Sequence, residues 1–371
     1  MRNKKTFSYD DIDQLISEDW STGYSADYEY DANGNRTKRT VGSTVEDYFY
    51  DDADKLEEIK IGSTVTKSYG YDDWGRRTSM TDSGGTTDYA YDSQSRLTSI
   101  TRTGLTTNSF GYNGFDTRVS KTDSTGTTSY KRAGAGVTAS LLKSTISGTT
   151  TDYTPGISSR VSSTSTFMHS GLKNSDEQSG SGGTIAASLQ YDAFGKQVSS
   201  SGTWVGAFKY GGPYGYQTDP DHGLKLLGHR YYEADTGRFL TRDPIKDGRN
   251  WYGYCGNGPL VMADPTGLAP SWLENAFKSI KNFASEVGHI IKGGIKVIVI
   301  VPAVIEFYNA IDQAKHEKDY FIEYRKRVTD AVDNGQLSEE RGYELIKINR
   351  PKMQGPLNII KRWWELLIDI S

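Results

Sequence analysis

Aromatic and polar residues alternate along the first third of the chain. Tyr28 and Tyr30, Tyr48 and Tyr50, Tyr69 and Tyr71, Tyr89 and Tyr91, and Phe110 and Tyr112 each flank a single residue, the two-residue period of a strand with one buried face. The pairs Tyr30-Asp31, Tyr50-Asp51, Tyr71-Asp72, Tyr91-Asp92 and Tyr112-Asn113 recur at spacings of 20, 21, 20 and 21 residues. Each pair runs into a polar turn that often holds Gly, and Arg or Lys then opens a return strand rich in Thr, Ser and Ile. Hairpins repeated at a fixed period are predicted. A lone hairpin cannot bury its apolar face, so the units should stack edge to edge into one continuous sheet. Within a unit, the Asp can accept backbone N–H bonds across the turn, and the basic residue four or five positions later can pair with it. The Tyr, on the other face, can stack on the Tyr of the next unit.

The repeat blurs over residues 131–185, where a Ser/Thr/Gly-rich stretch reads equally as irregular repeats or as linker. It returns at Tyr191-Asp192. Beyond Leu268 the apolar spacing becomes helical: Trp272, Leu273, Ala276, Ile280, Phe283, Ala284 and Val287 share one face of a predicted helix, with Ser271 as its cap. Two more helices are expected on either side of Asn334-Gly335, and a last one carries Trp363, Trp364, Leu366, Leu367 and Ile370. Segment 290–310 is the most hydrophobic of the chain. Its apolar core, residues 297–305, is shorter than the roughly 17 residues that span a bilayer, which leaves a buried element or a membrane-inserting segment as its two readings. The expected fold class is therefore mainly β over the N-terminal two-thirds, with stacked hairpins forming a wrapped sheet or partial shell, plus an all-α C-terminal domain.

Composition sharpens the β reading. There are 25 Tyr against 12 Phe, and 40 Gly, as many short strands joined by Gly turns require. A net charge of −4 gives the repeats no electrostatic footprint for nucleic acid. The single cysteine, Cys255, excludes an intrachain disulfide framework and is expected to be a buried, inert thiol. The histidines, at 169, 222, 229, 289 and 316, show no metal-ligand spacing, so neither a metal nor a cofactor is expected; His229 reads as a packed or capping residue. Acidic and polar residues follow the basic N-terminus where the apolar part of a signal peptide would stand. Export by another route, or a place at the end of a longer polypeptide, is expected instead.

Candidate chemistry lies in "GRFLTRDPIKDGRNWYGYCGNGPLVMADPTGLAP", residues 237–270, which holds two Asp-Pro pairs. As turns they need no chemistry: an Asp carboxylate commonly bonds the backbone of such a turn, Pro244 and Pro265 fix φ, and Gly267 supplies a positive φ. As chemistry, Asp243 and Asp264 held within about 3 Å of each other could not both ionise, so one would act as acid while the other activates a water. The intervening residues suffice for strand, turn and strand. Both readings stand on the residues alone.

The Tyr-Asp period, followed by "GHRYYEADTGRFLTRDPI" and "NWYGYCGNGPLVMADPTGL", resembles the Rhs/YD-repeat proteins. The likeness to their repeat-associated core runs from about Tyr191 to Leu268, and the repeats extend it back to about residue 24. The resemblance implies YD-repeat hairpins over 1–130, irregular repeats or linker over 131–185, the core over 186–268 and a variable cargo or toxin-like domain over 269–371. It further implies a β shell around that C-terminal cargo and a self-cleaving aspartyl protease site. Asp243 and Asp264 would then be the dyad, Arg242 a supporting cation, and Leu268-Ala269 the scissile bond. One departure stands out: the family usually continues Asp-Pro-Ile-Gly with a further Gly-Gly, where this chain has Lys246-Asp247-Gly248. A secreted, cell-surface or delivered protein is implied, with its own C-terminal domain and an immunity protein as partners. The rival readings are a non-cleaving, Tyr-rich surface for carbohydrate or protein, and a degenerate end piece.

Overall fold

A computed structural model describes residues 4–268 except 155 and 172. Twenty strands, from β1 (Lys5–Tyr9) to β20 (Gln197–Gly202), form one antiparallel sheet in which every strand pairs with its neighbours in sequence. The segment that reads as repeats or linker contributes β14 (Leu141–Ile146), β15 (Thr149–Thr154), β16 (Ser158–Val161), β17 (Thr164–Ser170) and β18 (Ser175–Ser179) to this ladder. A second sheet of four short strands follows: β21 (Gln217–Thr218), β22 (Lys225–Leu227), β23 (Arg230–Glu233) and β24 (Arg238–Phe239).

The expected mixed class, with an all-α domain beside the β part, is corrected here. The described residues are almost entirely β, with two short 3-10 turns and no α-helix among them. Their two-residue alternation, carried by hairpin after hairpin, leaves no stretch of helical period. Residues 269–371, and with them the expected helices, the 290–310 segment and Ala269, lie outside the described residues.

Each Tyr-Asp pair builds the same corner. The ladder register shifts at Tyr30, Tyr50, Tyr71, Tyr112 and Tyr191, a β-bulge that turns the strand as it enters the loop. The Asp carboxylate then caps the turn: Asp72 Oδ1 accepts the N–H groups of Trp74 and Arg76 at 3.1 and 2.9 Å, and Asp92 Oδ1 those of Gln94 and Arg96 at 2.9 and 3.0 Å. Asp31, Asp51 and Asn113 repeat the pattern, and so does Asp10 after Tyr9. The basic residue four positions on closes the corner, with Arg76 Nε 2.6 Å from Asp72 Oδ2 and Arg96 Nε 2.7 Å from Asp92 Oδ2. Tyr30, Tyr50 and Tyr112 hydroxyls donate to the carbonyls of Leu15, Arg36 and Leu97 in the preceding unit, so these tyrosines staple unit to unit by hydrogen bond. Asp72→Ala removes three bonds from one corner and is expected to cost about 1–2 kcal/mol. The urea midpoint measures this, and an unchanged midpoint would show that the turn does not depend on its cap.

The ladder is rolled on itself. Strands β2 (Leu15–Trp20) and β19 (Ile185–Tyr191) would stand on the order of 80 Å apart in a flat sheet at about 4.8 Å per strand. Yet Glu18 of β2 accepts the backbone N–H of Ala193, just after β19, at 3.0 Å, and Arg39 reaches Asp192 at 3.2 Å. Residues 203–268 fill the inside of the roll. Leu224, Leu226, Tyr231 and Leu240 pack with Tyr89, Leu97, Ile100 and Phe110 of the ladder, and Tyr210, Tyr216, Tyr232 and Tyr254 with Leu189 and Tyr191.

Three buried arginines act as spokes between the two layers. Arg36, Arg77 and Arg118 each open the return strand of an alternate unit, and the same position in the units between is Leu15, Leu56 or Leu97. Arg36 donates to the carbonyl of Asp235, Arg77 to the Glu233 carboxylate, and Arg118 to the Tyr231 hydroxyl. Their origins lie four strands apart, about 19 Å in a flat sheet, whereas their partners are two residues apart, about 7 Å along a strand. Only inward convergence from a curved sheet satisfies both spacings.

Candidate active site

Asp243 and Asp264 are both buried and both face one guanidinium, that of Arg230. Arg230 Nη2 lies 3.4 Å from Asp243 Oδ2 and 3.8 Å from Asp264 Oδ2, so these oxygens are no further apart than those two distances laid end to end. Arg230 begins β23 straight after the two-residue turn Gly228-His229, and its other nitrogens donate to the carbonyls of Gly267 and, at 3.0 Å, Trp251. Its ring of contacts is completed by Phe239, whose centroid is 3.7 Å away. Sequence reasoning placed no role on Arg230. Its signal was a strand-opening Arg beside Gly228-His229, which gains meaning only once the fold brings both Asp-Pro turns onto it.

The first Asp-Pro turn is an Asx corner. Asp243 Oδ1 accepts the N–H of Ile245 at 2.9 Å, and the Asp243 N–H donates to Trp251. Lys246, where the family pattern has glycine, takes a left-handed φ of 52°, and Asp243 still faces Arg230. The second turn is tighter. Asp264 Oδ1 accepts the Thr266 hydroxyl at 3.0 Å and the Leu268 N–H at 3.1 Å, while the Asp264 N–H donates to the Tyr216 hydroxyl at 2.6 Å. Gly267 has a φ of 67°, and a Cβ there would sit 2.0 Å from the Leu227 carbonyl oxygen; a Cβ on Gly228 would sit 2.1 Å from that of Thr266. Two glycines thus let the 264–268 turn lie flat against the β22–β23 turn.

Burial pushes the Asp243 acid up to about 6, with Arg230 opposing it and Asp264 adding to it. Burial raises Asp264 as well, against Arg230 and its hydrogen bonds to Thr266 and the backbone. Both carboxyls thus resist ionisation although one cation faces them. Leu268 brings its amide directly onto Asp264. Arg242, by contrast, lies 6.0 Å from the Trp251 ring against Gly75 and Tyr252; among the described residues its Nε has no hydrogen-bond partner and its side chain makes no ion pair with either aspartate. Pro244 and Pro265 occupy the turns themselves. His229 sits 3.8 Å from Asp116, with burial lowering its basicity. Cys255 is buried and its thiol is pushed up to about 12 by that burial. Among the described residues no three His, Cys, Asp or Glu side chains converge as metal ligands.

Comparison with known proteins points one way. The family model described as RHS Repeat matches residues 50–87 and 71–107. The chain is 39% identical over 98 residues to the tRNA nuclease WapA of Bacillus subtilis, covering 24% of this chain and 4% of WapA. It is 38% identical over 95 residues to the double-stranded DNA deaminase toxin A of Burkholderia cenocepacia, covering 24% of this chain and 6% of the toxin. To the toxin subunit YenC1 of Yersinia entomophaga it is 44% identical over 54 residues, 14% of this chain and 6% of the subunit. The chain therefore spans only a small part of these relatives' length. Among solved structures, the TcdB2-TccC3 complex is similar over 71% of this chain and 18% of that one, at 17% identity and a TM-score of 0.38.

Proposed function

The chain is an Rhs/YD-repeat protein, and we propose that its Asp243–Arg230–Asp264 cluster hydrolyses the Leu268–Ala269 peptide bond and so frees the residues downstream as an effector. The observation that carries this is the sharing of one Arg230 nitrogen by two buried carboxyls, both raised above their ordinary values. With one proton on the pair, the ionised carboxylate takes a proton from water as the water oxygen attacks the Leu268 carbonyl carbon. The protonated partner gives its proton to the carbonyl oxygen. Collapse of the tetrahedral carbon breaks the C–N bond, and the Ala269 nitrogen leaves as an amine with a proton returned from the pair. The titration belongs to the pair, so neither role is fixed on one residue. Arg230 stabilises the ionised carboxylate of the pair, and Asp264 holds the Leu268 amide in place.

Relatives with activities as unlike as tRNA cleavage and DNA deamination share sequence with this chain, which supports reading repeats and core as a common carrier. Delivery out of the producing cell, and an immunity protein that protects it, follow from that reading. The test is an intact-mass spectrum of the denatured wild-type chain beside Asp264→Asn and Asp243→Asn. Two fragments meeting at Leu268–Ala269 in wild type, and a single full-length mass in both variants, are expected. Full-length wild type would return both Asp-Pro pairs to the status of turns.

A further inference from the structure

Lys173 lies between β17 and β18, in the Ser/Thr/Gly-rich stretch, yet only 3% of it is exposed. Its ammonium donates to the Tyr254 hydroxyl at 2.7 Å, to the Met262 carbonyl at 2.6 Å and to the Pro259 carbonyl. That uses all three donors of the group. None of the three acceptors belongs to the hairpins that deliver the lysine; all lie in the core, on the approach to Asp264. The two carbonyls fix the loop that leads into Asp264. The hydroxyl starts a second route: Tyr254 and Tyr216 oxygens are 3.0 Å apart, and Tyr216 accepts the Asp264 N–H at 2.6 Å.

We infer that Lys173 is a positioning residue for Asp264, holding its loop through the 259–262 carbonyls and its backbone through the Tyr254–Tyr216 hydroxyls. This rests on the cleavage reading above. Burying an ammonium is costly, and such groups fix a unique arrangement where their hydrogen bonds are complete. The charge also acts on Asp264 directly. Burial draws Lys173 down to about 8, against the Cys255 thiol and the Asp264 carboxyl, which favour its charged form; reciprocally, the cation favours the Asp264 carboxylate.

Two outcomes separate position from charge. Full-length chains made by cell-free synthesis are followed by mass after translation is stopped, from pH 4 to 9. Lys173→Met is expected to slow cleavage on the order of ten- to hundred-fold, the cost of a misplaced group near the chemistry, and to move the pH–rate midpoint upward because a charge that favours the Asp264 carboxylate is gone. Tyr216→Phe, which removes the acceptor of the Asp264 N–H but no charge, should slow cleavage and leave the midpoint where it is. A wild-type chain that stays whole overturns the cleavage reading and this one with it. Cut wild type beside a folded Lys173→Met chain, cut at the same rate with the same midpoint, overturns the role of Lys173 alone. Should Lys173→Met fail to melt cooperatively, Tyr216→Phe decides, and wild-type cleavage in it overturns the positioning.

Discussion

Glu233→Ala is expected to destabilise the repeat and core unit by about 3–5 kcal/mol, the cost of leaving one member of a buried ion pair alone. Arg77 is fully buried, and its Nη1 lies 2.8 Å from the Glu233 carboxylate. Among the described residues its Nε and Nη2 have no hydrogen-bond partner, and the Tyr69 ring lies 4.5 Å from the guanidinium. Although burial pushes the Glu233 acid up, Arg77 and Lys67 outweigh it and hold the carboxyl below its ordinary value. The pair also joins the two sheets, since Arg77 comes from β8 (Arg77–Asp82) and Glu233 from β23, beside a backbone bond from Arg77 N–H to Leu240. A domain whose whole stability is about 5–15 kcal/mol should lose much of its urea midpoint. Replacing both members, Arg77→Met with Glu233→Leu, should recover most of it, because the desolvation of two charges is then removed as well. A single substitution costing under about 1 kcal/mol would mean that the spoke is not what docks β23 on the ladder.

The corners were legible because each needs a specific residue: a bulged Tyr, a capping Asp or Asn, and a left-handed fourth position, whether Gly34, Gly75 and Gly195 or Asp54, Ser95 and Asp116. The same signal stands at Tyr9-Asp10, 21 residues before Tyr30-Asp31, ahead of the first repeat named from the period. A longer rhythm was present too. Leu15, Leu56 and Leu97 alternate with Arg36, Arg77 and Arg118, each set at a spacing of 41 residues, and marks which units send a cation inward. Strands β14 to β18 were not decidable, because Thr and Ser dominate them: paired hydroxyls such as Thr145 and Thr150, 3.2 Å apart, mark a cross-strand position with no apolar alternation to betray it. At the site, the two aspartates could be singled out from their Pro-containing motifs. The cation between them could not, because Arg230 meets Asp243 and Asp264 only through the folding of β23 against two turns distant in sequence, and the neighbouring Arg242 carried the motif.

The melting temperature of the unit is expected to be highest on the acid side of neutrality and to fall as pH rises from about 5 to 8. Glu18, in the seam where β2 meets Ala193, is pushed up to about 7 from an ordinary 4.5 by burial and then by Asp192, against hydrogen bonds from Tyr28, Ala193 and Trp20. Asp192 is itself raised by burial, opposed by Arg39. A folded state that keeps these protons longer than the unfolded chain is stabilised fully below the unfolded values and loses that stabilisation as pH rises through the folded ones. At about 1.4 kcal/mol per unit, Glu18 alone accounts for roughly 3 kcal/mol. Asp243, about 6, and Asp176, also about 6 through burial, add in the same direction. The opposite sign belongs to Asp235, which burial would raise but Lys67 and Lys196 bring down to about 2, so that its contribution is present above the unfolded value and disappears as pH falls through 2. It belongs also to His222 and His229, whose basicity burial lowers and whose contribution is lost as pH falls below their ordinary value, against the carboxyls. The seam also holds Arg36, stacked 4.1 Å from the Phe194 ring, and Lys5, 3.5 Å from that of Trp20, and neither cation donates a hydrogen bond to Glu18. Asp192→Asn removes the neighbouring charge, so Glu18 should ionise closer to its ordinary value and the slope between pH 5 and 8 should flatten. Calorimetric melting at unit pH steps measures both curves. A wild-type melting temperature that is level across this range would mean that Glu18 is already ionised in the folded seam and that the hydrogen bonds it accepts from Tyr28, Trp20 and Ala193 outweigh burial; an Asp192→Asn curve parallel to a sloping wild type would mean that burial raises Glu18 without help from Asp192.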